Sequence, residues 1–363
     1  MAPMRAPRLV CVLGCLPAAA LLVSGCGGDS NSTASIASSS AAAPSLPAPP
    51  KSDFPSAKGK TLREVVNAAD GHSELVVEPA AMVFYKGRNR YPFGVFERDR
   101  TPVPNAEVAL YFARVPTPKK SAKSKAGKKG AAAKAEAKKA LDQPAVGPFP
   151  ASVESLATKP AFRAKTTADD PDAASVVYST DVDFPSNGEW GIVALVKEGD
   201  EIKGKELPRA VVGEFSKVPR AGQPAPKIHT PTAADVSGDL AKITTRIPPD
   251  TQNRVDYADV LGKEPIMLLF ATPKFCQSRV CGPVVDVAQQ LQHEDGEKAA
   301  FIHMEIYNEN DPSKHVRPQV RAFDLPSEPW LFAINSKGVV SSATEGAFGV
   351  ERMTAALNKA VAE

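Results

Sequence analysis

From Glu74 to Val218 apolar positions come in short, separated runs. Val176, Tyr178, Thr180, Val182 and Phe184 fall at alternate positions of one run, as do Ile192, Ala194 and Val196 after a Ser-Asn-Gly turn. Val108, Leu110 and Phe112 share one face of 106–113, and Phe93 and Val95 share another within 91–97. Leu75 to Val77 opens this series and Val211 to Phe215 closes it. Period two over stretches of this length predicts half-buried strands, about six or seven of them, separated by turn residues. That pattern suits an antiparallel β-sandwich over 61–218, with a short helix over Thr61 to Ala69 at its start.

The pattern changes after residue 251. Ile266 to Ala271 is an unbroken apolar run, bounded by Pro265 and by Thr272-Pro273, and predicts a strand buried on both faces. Cys276 and Cys281 follow at once. Pro283 suits the first turn of a helix, where its missing N–H needs no partner. Val284, Val285, Val287, Ala288 and Leu291 then give that helix an apolar stripe. Further on, the spacing predicts a strand at Ala299 to Tyr307, a crossover helix at Ser313 to Phe323, a strand at Glu328 to Ile334, a hairpin partner at Val339 to Thr344, and a closing helix at Gly349 to Val361. Strand, cysteine loop and helix N-terminus place the thiols at the positive end of a helix dipole, which favours thiolate.

This order resembles the thioredoxin superfamily over 251–363. The resemblance implies an α/β thioredoxin-like domain, with Val255 to Leu261 as an extra element before its core. It implies Cys276 as the nucleophilic thiol, Cys281 as the resolving thiol, and Pro329 as the cis-proline that shapes the substrate groove. The cysteine spacing departs from that of thioredoxins: four residues intervene, and Gly282-Pro283 follow the pair instead of lying inside it. Ser179 to Val196 resembles bacterial immunoglobulin-like extracytoplasmic domains, so an all-β immunoglobulin-like sandwich is expected ahead of the thioredoxin-like domain.

The first residues change the picture of where the protein works. Arg5 and Arg8 precede an apolar stretch too short for a membrane span, and Leu22-Val23-Ser24-Gly25-Cys26 resembles a bacterial lipobox. The resemblance implies a lipoprotein signal peptide at 1–25, lipidation of Cys26, and an extracytoplasmic face on the cell membrane. The richness in Ala and Pro suits a high-GC, actinobacterial source. Cleavage and lipidation remove Cys11, Cys15 and Cys26 from the thiol pool, which leaves Cys276 and Cys281 as an expected disulfide. Residues 26–60 read as a flexible tether and 219–250 as an interdomain linker.

Charge is local. Lys119 to Lys139 holds nine lysines and one glutamate, inside a 117–142 insertion expected to be disordered. Without it and the signal-peptide arginines the chain is net acidic. The block either attracts an anionic surface or is simply a solvated loop. No aromatic residues interleave the lysines, so nucleic acid is not expected as a partner. Dinucleotide, Walker, zinc-protease and serine-hydrolase motifs are absent, and no cofactor is expected.

The sequence supports a membrane-anchored protein that performs thiol–disulfide exchange with exported proteins carrying thiols or disulfides. One alternative is a Sco-like copper-delivery protein, with Cys276, Cys281, His315 and His303 as ligands. Its weakness is His303, which lies mid-strand. A second alternative is a non-catalytic surface binding module whose cysteines form a structural disulfide.

Overall fold

A computed structural model describes residues 43–116 and 139–363. The expected signal peptide, Cys26 and nearly all of the lysine block lie outside the described residues. Thr61 and Glu64 open helix α1 (Leu62–Asn67) with a reciprocal capping box. Strands β1 (Gly71–His72), β2 (Val76–Pro79), β3 (Gly87–Phe96), β4 (Glu107–Arg114), β5 (Val146–Pro150) and β6 (Ser152–Ser155) follow. After helix α2 (Lys165–Ala168) come β7 (Val176–Phe184), β8 (Gly188–Glu198) and β9 (Glu201–Val212).

These strands form two sheets, in the orders β1-β9-β8-β4-β5 and β2-β3-β7-β6. Their inner faces share one core. Tyr91, Phe93 and Tyr178 of one sheet meet Leu110, Phe112 and Ile192 of the other. The period-two positions of the sequence are these inward residues. The outer face of the five-stranded sheet is covered by Leu62 and Val65 of α1, which pack on Tyr111 and Val193.

The C-terminal region contains α3 (Tyr257–Val260), β10 (Ile266–Phe270), α4 (Cys281–Asp295), β11 (Ala300–Met304), α5 (Pro318–Ala322), β12 (Trp330–Ile334), β13 (Val340–Glu345) and α6 (Val350–Ala362). Its sheet runs β11-β10-β12-β13, with β10 and β11 parallel and the other neighbours antiparallel. Both faces are buried, as the unbroken apolar run requires. Met267, Leu269 and Leu331 face α4 and α6. Ile266, Leu268, Phe270 and Phe332 face α3, α5 and the 215–228 segment. Ala42–Glu363 is one compact unit, and Leu156 and Val177 of the sandwich join the α4 core directly.

Several expectations meet a different structure. From residue 43 the tether is packed: Leu46 pairs with Val153, and Phe54 is buried. Ala140 and Leu141, at the end of the expected disordered insertion, are also buried. The 219–250 segment lies against the C-terminal sheet. Gly222 and Ala225 N–H groups donate to Val340 and Gly338 carbonyls, and Thr244, Arg246 and Asp250 are buried. It docks through a few scattered apolar residues, Ala225, Ile228 and Ile243, and through backbone, hydroxyl and charged groups, which leave no apolar period to read. Strands β5 and β6 have no expectation in the sequence: Pro148 and Pro150 interrupt alternation in β5, and β6 is four residues long with only Val153 buried. The crossover helix is shorter than expected. His315 has a positive φ of 61°, and Pro318 starts α5 instead of weakening a longer helix.

Candidate functional site

Cys276 and Cys281 form a disulfide, with their Cα atoms 5.9 Å apart. The loop that carries Cys276 leaves the end of β10, and Cys281 is the first residue of α4. The Cys281 N–H donates to Cys276 Sγ at 3.3 Å, and the Ser278 hydroxyl lies 3.3 Å from the same sulfur. A thiolate on Cys276 would meet a helix N-terminal N–H and a hydroxyl, both suited to hold negative charge. Pro329 follows a cis Glu328–Pro329 bond at the start of β12, whose Trp330 pairs with Phe270 at the end of β10.

Access to the sulfurs is restricted. Cys276 is 6% exposed and Cys281 0%, although Gln277, Ser278 and Arg279 between them are exposed. The Arg279 guanidinium meets Asp170 at 3.2 Å, and its carbonyl accepts the Ala174 N–H at 3.1 Å. Both partners come from the loop between β6 and β7. Ala174 also packs against the core that contains the two cysteines.

Behind the cysteines, Asp286 on α4 is 1% exposed and takes a hydrogen bond at 2.9 Å from Arg246 Nε, itself 6% exposed. The Ala164 N–H donates to its other oxygen at 3.0 Å. Burial pushes the Asp286 carboxyl above its usual range, against the pull of Arg246. Arg246 also donates to the Phe162 and Pro248 carbonyls. One guanidinium therefore binds the 240–254 segment, the β6–β7 loop and α4 together.

His303 is fully buried. Its Nδ1 lies 2.8 Å from Asp250 Oδ2 and its Nε2 3.1 Å from the Ala271 carbonyl. Both neighbours are acceptors, so the imidazole holds a proton on each nitrogen. Burial opposes that charge, but Asp250, Glu305 and the Ala271 carbonyl raise the His303 pKa. This histidine is engaged at both nitrogens, by the Asp250 carboxylate at Nδ1 and by the Ala271 carbonyl at Nε2. His315 is exposed on the loop before α5. Among the described residues no group of three or more His, Cys, Asp or Glu is placed to hold a metal ion.

The structure thus brings Cys276 and Cys281 together at the β10–α4 corner and directs His303 inward. Sequence reasoning did not find Ser278, Arg246, Asp286 or the β6–β7 loop. One signal was present: Asp286 interrupts the apolar run Val284-Val285-Asp286-Val287, and a charge there asks for a buried partner. No protein-family model matches this chain, and no curated protein matches it. Among the described residues no helix is long and apolar enough to cross a membrane.

Proposed function

We propose that this protein is a thioredoxin-like thiol–disulfide exchange protein, held on the extracytoplasmic face of the membrane by a lipid on Cys26, and that its partners are exported proteins with thiols or disulfides. The observation that carries the reading is the Cys276–Cys281 disulfide at the junction of β10 and the α4 N-terminus, with the Cys281 N–H on Cys276 Sγ. The strand order β11-β10-β12-β13, with β10 and β11 parallel, is in keeping with a thioredoxin-like region. The two packed sheets before it are in keeping with an immunoglobulin-like one.

In the reducing direction, the Cys276 thiolate attacks a partner disulfide. One partner sulfur leaves as a thiolate and takes a proton from solvent. The Cys281 thiolate then attacks Cys276 Sγ, expels the second partner sulfur, and restores the internal disulfide. The oxidising direction is the reverse sequence. Cys276 is the better point of attack, because Cys281 is wholly enclosed.

Burial of both sulfurs favours a second reading, a binding module braced by a structural disulfide. Trapping separates the two. After mild reduction, Cys281→Ala is expected to capture exported proteins as mixed disulfides through Cys276, and Cys276→Ala to capture few. If neither variant captures any and each merely melts earlier, the brace reading holds. A standard potential below about −300 mV would point the same way.

A further inference from the structure

Strands β6 and β7 are antiparallel neighbours, with Ser155 opposite Val176 and the Leu156 N–H donating to the Ser175 carbonyl. A connection between such strands needs only about two to five residues. Here residues 157–174 make the excursion, with a 3-10 turn at Pro160–Phe162 and α2 inside it. They run along α4 from its C-terminal end to its N-terminal end. The Lys159 N–H donates to Gln290 Oε1 at 2.8 Å. The Phe162 ring lies 5.2 Å from that of His293. The Ala164 N–H reaches Asp286, and a Cβ on Gly282 would come within 2.8 Å of Thr167 Oγ1. Asp170 and Ala174 finish at Arg279, inside the cysteine loop.

The two ends of this loop are held differently. Residues 159–164 are fixed to the enclosed Arg246–Asp286 pair. Residues 165–168 stay with that anchor, with the Lys165 N–H on the Ile247 carbonyl at 2.7 Å and Thr167 buried against Gly282, while 169–174 are held at the cysteine loop by one backbone hydrogen bond and one part-exposed ion pair. Few buried contacts and solvent-facing hydrogen bonds define a segment that opens locally while the rest stays folded.

We propose that 157–174 is a strap whose seat on α4 controls access to the Cys276–Cys281 disulfide, and that the redox state of the disulfide sets how firmly the 169–174 end is seated. The inference rests on the exchange reading only in taking the pair to be a reactive one. Closed, the strap shields the sulfurs. Lifted at Ala174 and Asp170, it exposes Cys276 while Asp286 keeps its other end in place. Reduction by a small dithiol supplies two electrons and two protons. The dithiol closes to its own disulfide, and Cys276 and Cys281 become thiols. The cysteine loop then loses its covalent closure, and with it the fixed carbonyl of Arg279 that Ala174 uses.

The test is the rate at which dithiothreitol reduces the disulfide in the full chain, followed by thiol labelling. The native protein is expected to react at least tenfold more slowly than the same chain in urea. Asp170→Lys places a cation against Arg279, and Ala174→Pro removes the N–H that holds the loop. Each variant, if it keeps the wild-type near-ultraviolet spectrum, is expected to react at least tenfold faster than wild type. Hydrogen exchange on wild type needs no variant. The Ala174 amide is expected to lose protection on reduction, while the Lys159 amide keeps its own. The proposal fails if native and urea-unfolded chains react alike, if both folded variants react at the wild-type rate, or if Ala174 protection is the same in both redox states. A small dithiol is the probe, so these outcomes stand apart from whether any exported protein forms a mixed disulfide.

Discussion

Helices α4 and α6 lie on the same face of the same sheet and touch one another, yet they are enclosed to very different degrees. On α6 the buried residues are Met353, Ala356, Leu357 and Ala360, a single stripe with open positions opposite. On α4 every residue from Cys281 to Ala288 is buried. The difference is the strap together with the 240–254 segment, whose Arg246 and Thr251 also bond α4 residues. Each helix also has one carboxylate–arginine tie to its surroundings. Asp286 and Arg246 are 1% and 6% exposed, while Glu154 of β6 and Arg352 of α6 are 15% and 38% exposed. A helix that is apolar on one side reports its own core. A helix that is apolar all round reports only that something else must cover it.

The largest expected effect tests whether the enclosed tie is the stronger anchor. Asp286→Ala leaves the Arg246 guanidinium buried without its carboxylate, and breaking such a pair costs about 3–5 kcal/mol. Arg352→Ala leaves Glu154 with Arg90 and the Ser179 hydroxyl, and the loss is expected to be smaller, about 1–2 kcal/mol. Urea unfolding of the two variants measures both. Equal losses would mean that enclosure does not distinguish the two helices.

The two carboxylates also respond to acid in opposite ways. Burial pushes Asp286 up. Burial also acts to raise Glu154, but Arg352, Arg90 and Ser179 outweigh it and hold that group at about 2, against an ordinary 4.5. A lowered folded pKa means that the contribution of Glu154 is complete above about pH 4.5 and fades as the pH falls toward 2. Its full size is about 3 kcal/mol. The stability gap between wild type and Glu154→Gln is therefore expected to be widest at pH 5 and to close as the pH approaches 2. A gap that does not change with pH would show that Glu154 holds α6 without its charge.

The same contrast explains what could be read from the sequence. Strands β7, β8 and β10 and helix α6 were visible because their apolar periods match the surfaces they bury. The disulfide corner was visible because Pro283 and the run before Cys276 mark a strand-to-helix junction. The strap was not visible. Lys159 to Ala174 carries Pro, Ala, Thr and Asp, and it docks through N–H groups, a carbonyl and short side chains that have no period. Residues 240–254 were missed for the same reason: Thr244, Thr245, Arg246 and Asp250 are buried by pairing with His303, Glu305 and Asp286. Segments that bury polar groups against polar groups look like linkers until their partners are known.

The smallest expected effect concerns the outer rim of the strap. Lys159 Nζ meets Glu294 Oε1 at 2.6 Å, with side chains 66% and 30% exposed. Water competes for both charges, and holding a lysine side chain in place costs rotamer freedom. Exposed pairs of this kind contribute about 0–1 kcal/mol. Lys159→Ala also keeps the backbone N–H that Gln290 binds, and Glu294 keeps the Gln290 amide at 3.1 Å. The variant is therefore expected to unfold within about 1 kcal/mol of wild type, and its small deficit is expected to vanish at high salt. Its disulfide is expected to reduce at the wild-type rate, because the end of the strap beside the cysteines is untouched. A loss as large as that of Asp286→Ala would place the anchor on the exposed flank instead, and the enclosed pair would no longer account for the difference between α4 and α6.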